Sequence, residues 1–190
     1  MRTTQQPWKT ILIWGLAVVA VLMLGAVIDN SGVSGTCMFI LVPYFAAICG
    51  VFPVLALNRM GTGVLVFVPY ALIGFAPLYY FDYLQTHQLV GLWAVFAFSA
   101  SGPLIGAALD LANLLTARYG ERTRAICMGA AMQAMTFVVT LLGLRYLYVP
   151  TSAMAGHVLF YTREWYFTLP WMAVNGAFGG YTAYTLKKRA

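Results

Sequence analysis

Residues 35–57 read GTCMFILVPYFAAICGVFPVLAL, and none of these positions carries a charge. As an α-helix this stretch would extend about 35 Å, enough to cross the ~30 Å hydrocarbon layer of a bilayer. Outward from it the same texture repeats. Apolar stretches at 11–29, 62–81, 89–117, 125–147 and 165–186 complete a set of six, and the short segments between them hold nearly all ionisable residues. The pattern predicts an all-α membrane protein: one integral domain over residues 1–190 with six transmembrane helices.

Composition agrees. Hydrophobic residues make up 62% of the 190 positions and charged residues 8%, against roughly 25% charged in a soluble domain. Mean hydropathy is +0.80. The formal net charge of +6 would suit a nucleic-acid partner, but the basic residues form no single patch. They sort by side of the membrane instead. With the amino terminus inside, Arg2, Lys9, Arg59, Arg118, Arg122, Arg124, Lys187, Lys188 and Arg189 all lie inside, and only Arg145 and Arg163 lie outside. Basic residues near helix ends resist translocation, so both termini are expected in the cytoplasm of a multi-pass cell-membrane protein. The run from Ile11 to Ile28 is too long for a signal-peptide core and lacks a small-x-small cleavage site before Asp29, so it is expected to span.

Several classes of chemistry lack their residues. Cys37, Cys49 and Cys127 fall inside predicted spans without a CxxC pair, which suits small buried apolar residues rather than redox or metal sites. No GxxxxGK[ST] is present for ATP. His87 and His157 both fall in outer connections, not on facing helices where a haem would need them. Gly32-Val33-Ser34-Gly35 resembles the GxSG of intramembrane serine proteases, but its nearest candidate base, His157, lies in a loop. An enzyme acting on lipid or quinone would lack a nucleophile, a metal cluster or an acid-base pair. No catalytic residue, metal ligand or cofactor is assigned.

Two features shape the expected bundle. Pro43 and Pro53 fall in the second stretch, Pro69 and Pro77 in the third, Pro103 in the fourth and Pro170 in the sixth. Each removes a backbone donor, so the second and third helices are expected to be bent and partly broken. Small residues recur four apart as Gly102 and Gly106, Ala173 and Ala177, Gly176 and Gly180, and Gly179 and Ala183. Without bulk, backbones approach closely, and in lipid such packing replaces the hydrophobic drive. Whether the contacts are internal or made to another subunit stays open at this stage.

Polar groups that are costly in hydrocarbon are few. Asp110 and Asn113 come late in the fourth stretch, Gln133 lies in the fifth and Asn175 in the sixth. Asp110 is about two turns before Arg118, which favours hydrogen bonding at a helix interface near the inner surface over a deep functional charge. Outside, Tyr80 lies at the end of the third stretch and Asp82 opens the connection after it, and the long connection 148–164 runs through His157 to Arg163, Glu164, Trp165 and Tyr166. Two readings stay open for the outer aromatics. They form an interfacial belt, or they wall a site where rings stack a flat polar ligand and Arg163 or Glu164 fixes its orientation.

Six spans with both ends inside, a long outer fifth connection and the segment Asn175-Gly176-Ala177-Phe178-Gly179-Gly180-Tyr181 running into Lys187-Lys188-Arg189 together resemble the substrate-binding S component of energy-coupling factor vitamin transporters. The resemblance implies capture of a vitamin or related heterocyclic micronutrient at the outer face, with Trp165 and Tyr166 stacking it and Arg163, Glu164 and Asn175 as hydrogen-bonding groups. It also implies docking on a transmembrane coupling subunit served by cytoplasmic ATPases. Metal-transporting members carry an early histidine, whereas this chain begins Met1-Arg2-Thr3, so an organic ligand is implied. Docking faces would fall on Ala17 and Ala20 in the first stretch and on Gly176 and Gly180 in the last. Val21 and Leu24 stand where the family's AxxxA repeat would place further alanines. The alternative from another class is a non-catalytic structural or assembly subunit of a larger membrane complex.

Overall fold

The computed structural model describes residues 7–30, 36–74, 99–147 and 163–189. Six helices account for them: α1 Pro7–Asn30, α2 Thr36–Leu57, α3 Thr62–Ile73, α4 Gly102–Leu115, α5 Glu121–Leu147 and α6 Trp165–Arg189. There is no strand among the described residues. Three helices, α1, α2 and α5, are long and apolar enough to cross a membrane, which is the signature of a membrane protein. At 12 and 14 residues, α3 and α4 reach only about 18 and 21 Å. The remainder of their predicted spans, from residue 75 to 98, lies outside the described residues.

Three sequence-based expectations change. Residues 121–124 were expected in an inner turn, yet they form the first turn of α5. Glu121 there faces the positive end of the helix dipole, and polar residues can continue a helix once it leaves hydrocarbon. Similarly, Lys187, Lys188 and Arg189 are the last turn of α6, where cations complement the dipole. The expectation of a partly broken second helix is also corrected: α2 runs continuously through Pro43 and Pro53. Each proline deletes one ladder bond, whereas unwinding would strip several groups of partners. Within its described part α3 likewise continues past Pro69; Pro77 lies outside the described residues.

The helices alternate in direction. Arg124 at the start of α5 binds Asn113 near the end of α4 and Asn58 just after α2. Lys187 at the end of α6 pairs with Glu121 at the start of α5. Trp14, early in α1, lies 4.6 Å from Phe52, late in α2, between ring centroids. The beginning of α1 and the end of α6 therefore share one end of the bundle, here called the lower end.

The core is apolar, with Val18, Val51, Leu55, Val66, Leu109, Met128 and Phe137 among its buried side chains. Lipid offers little hydrophobic drive between helices, so close packing must hold them together. The most extensive contact joins α5 and α6, and glycines make it. A Cβ on Gly129 would strike the Gly176 carbonyl, one on Gly176 the Gly129 carbonyl, and one on Gly180 the Ala125 carbonyl. The α3–α4 pair repeats the device, since a Cβ on Gly106 would collide with the Gly63 carbonyl.

Candidate functional site

Side-chain polarity gathers at two places: a dense network at the lower end, and the start of α6 at the opposite end. In the network, Asp110 is buried at 3% exposure. Its two carboxylate oxygens accept the backbone N–H groups of Gly63 at 3.0 Å and Val64 at 3.1 Å. Those N–H groups belong to the first turn of α3, where no preceding carbonyl can accept them. Gly61, with φ 83°, supplies no side-chain cap, so the cap is borrowed from α4. The Gly63–Gly106 approach makes the loan feasible, because any side chain there would push α3 out of reach of the carboxylate.

Next to Asp110, Asn113 holds its Oδ1 3.2 Å from Arg124 Nε and 2.5 Å from Arg124 Nη2. The same Nη2 donates to Asn58 Oδ1 at 3.0 Å. Asn58 sits at φ 47°, a left-handed conformation that asparagine tolerates better than most residues. Thr62 Oγ1 closes the α2–α3 turn by donating to the Arg59 carbonyl at 2.8 Å. One guanidinium thus ties three chain segments together.

Deeper in the bundle, Gln133 Nε2 donates to the Pro43 carbonyl at 2.8 Å. Tyr44 and Thr182 share a hydroxyl–hydroxyl bond of 2.9 Å. Among the described residues no buried side-chain N or O lacks a partner, as a medium without water requires.

The start of α6 differs in every respect. Arg163 Nε lies 3.9 Å from Glu164 Oε1, and the Tyr166 hydroxyl donates to Glu164 Oε2 at 2.7 Å. Trp165, Tyr166 and Phe167 are all more than half exposed. Trp165 and Tyr166 meet edge to face at 6.4 Å, and Phe167 stacks on Trp171 at 6.3 Å. These rings present flat apolar faces at the bundle surface, with one ionic pair among them.

The expected ligand-binding residues are only partly brought together. Arg163, Glu164, Trp165 and Tyr166 form one group. Asn175 lies ten residues further along α6, about 15 Å away, buried, with Nδ2 on the Trp171 carbonyl at 3.3 Å. Tyr80, Asp82 and His157 lie outside the described residues. Of the expected docking positions, Gly176 and Gly180 are packed against α5 of the same chain. Ala17 is half-buried, whereas Ala20 is exposed on the face that carries Leu12, Leu16 and Leu24. Sequence reasoning assigned Arg124 only to the charge bias and did not anticipate its clamp. The available signal was the pairing of a span-end asparagine, Asn113, with a cation just across a short turn.

Among the described residues no group of three His, Cys, Asp or Glu side chains is placed to hold a metal ion. Comparison with models of protein families, with curated proteins and with solved structures yields no match to the chain. The fold therefore defines a class, an α-helical membrane protein, and function has to be argued from the two ends.

Proposed function

We propose that six helices cross the cell membrane with the lower end in the cytoplasm, and that the chain captures a small, flat, polar compound at its outer end. In this proposal it is the substrate-binding subunit of an importer of the energy-coupling factor type, working with a separate transmembrane coupling subunit and cytoplasmic ATPases. One observation carries the reading: polar cross-links concentrate at the lower end, while exposed rings and a surface ion pair mark the other. A bundle fastened at one end can open at the other without losing its fold. The orientation is supported by the cations, since Arg59, Arg118, Arg122, Arg124, Lys187, Lys188 and Arg189 all sit at the lower end with α1's Lys9.

Trp165 and Tyr166 would stack the ligand, with Arg163 and Glu164 turning from each other toward it. Native mass spectrometry of the chain, extracted in mild detergent from cells grown on rich medium, tests this. A stoichiometric organic adduct is expected, lost in Trp165→Ala and in Arg163→Ala while helicity is kept. Unchanged adduct in both variants would remove the pocket. The second reading, an assembly subunit, is favoured by the exposed Leu12, Leu16, Ala20 and Leu24 face of α1, and predicts co-purifying subunits with no adduct. Labelling that places Arg163 and Lys188 in one compartment would end the orientation proposal.

A further inference from the structure

The lower end carries more positive charge than its acids consume. Glu121 is taken by Lys187 and Asp110 by the α3 backbone, and no carboxylate among the described residues pairs with Arg122. Its guanidinium instead lies over the Tyr181 ring, 5.0 Å from the centroid. This contact fixes the planar group against the side of α6, and Arg122 remains exposed. Tyr181 is itself partly exposed at 38%.

From Tyr181 an exposed apolar stripe runs up α6. Trp171, Val174, Phe178 and Tyr181 follow each other at spacings of three and four residues, and all are exposed, so they share one helix face. Lys188 lies seven residues beyond Tyr181 on that same face, and is exposed. From Tyr181 to Trp171 the stripe measures about 15 Å. That is half of the ~30 Å hydrocarbon layer, the depth of one leaflet.

We propose that this face of α5 and α6 is a binding site for one anionic phospholipid of the inner leaflet, with an acyl chain along Val174 and Phe178 and the phosphate on the Arg122 guanidinium. Charge complementarity selects the occupant. A partner helix or second copy covering the stripe would place a fixed cation against its own surface, whereas a phosphate diester matches the fork of Arg122. Lys188 adds attraction for a negatively charged headgroup without its own fixed geometry. At the lower end the stripe ends in cations that no carboxylate among the described residues takes, whereas Arg163 at the other end of α6 is paired with Glu164, which distinguishes the lower end from a surface that lipids merely wet.

The proposal rests on the lower end facing the cytoplasmic leaflet, but binding in micelles does not depend on orientation, so the two fail separately. The full chain in mild detergent is titrated with phosphatidylglycerol or with phosphatidylcholine of the same acyl chains, and retained lipid is read by native mass spectrometry. One phosphatidylglycerol is expected to be held roughly tenfold more tightly than phosphatidylcholine, whose phosphate offers Arg122 the same oxygens but whose choline cation repels Arg122 and Lys188. Arg122→Gln should abolish the preference, and Arg122→Lys should restore part of it. Arg118→Gln, removing an exposed cation that bonds and stacks on Tyr119, should leave it intact. Equal retention of both lipids by the unmodified chain overturns the proposal. So does an unaltered preference in Arg122→Gln, equal loss in Arg118→Gln, or a lipid-free dimer.

Discussion

The two ends of the bundle solve opposite problems with similar residues. At the lower end Asp110, Asn113, Asn58 and Arg124 bond across helices, between positions 11 to 66 residues apart in sequence. At the start of α6, Arg163, Glu164 and Tyr166 bond within three residues of one another. Long-range bonds fasten elements together, whereas local ones leave the element free to move relative to its neighbours. Charge and aromatic content alone do not distinguish a joint from an opening; the sequence separation of the partners does.

The comparison breaks most severely at the glycine contacts. Gly176→Leu should drive a side chain into the α5 backbone and cost on the order of 3 kcal/mol or more. Loss of monodisperse protein in detergent is the expected result, while Gly120→Ala, whose surroundings are open, should melt like the unmodified chain. A Gly176→Leu chain that melts normally would mean that α5 and α6 do not touch as described. Asp110→Ala comes next. Two N–H groups at the start of α3 lose their acceptor, at a cost of about 2–3 kcal/mol, and Asp110→Asn should recover roughly half through one remaining oxygen. Thermal melting of the three proteins ranks them, and equal midpoints for alanine and asparagine would argue against a cap.

Arg124→Gln should lower stability by about 1–2 kcal/mol and speed hydrogen exchange in the turns around Asn58 and Asn113. Exchange confined to one of the two turns would show that the clamp is not shared. The smallest effect is expected at the start of α6: Glu164→Gln breaks an exposed pair worth at most about 1 kcal/mol. A change in midpoint comparable to that of Asp110→Ala would erase the contrast between the ends.

Much of the bundle was legible in the sequence. Lengths of apolar stretches located the helices to within a few residues where they are described, because hydrocarbon penalises every unpaired backbone group and polar break alike. The small residues of α6 announced close backbone contact, and the structure answers the question left open by placing Gly129 of the same chain opposite Gly176. Asp110 was expected at a helix interface from its distance to Arg118, and it bonds the first turn of α3. The specific partners were not legible. Gln133 finds the Pro43 carbonyl 90 positions away, and Tyr44 finds Thr182 at 138; nothing local encodes which helices become neighbours. The ends of α5 and α6 were misjudged because hydropathy marks where a helix leaves the lipid, not where it stops. For the ligand site, residue types suggested a chemistry, but Asn175 shows that sharing a helix does not mean sharing a pocket.

The Arg124 clamp has a practical consequence. Both of its acceptors are amide oxygens rather than carboxylates. Counter-ions have no opposite charge to compete for across the joint, unlike the exposed Glu121–Lys187 bridge, which dissolved electrolyte weakens. The turns it fastens should therefore stay closed in strongly saline buffers that loosen the tip of α6 from α5.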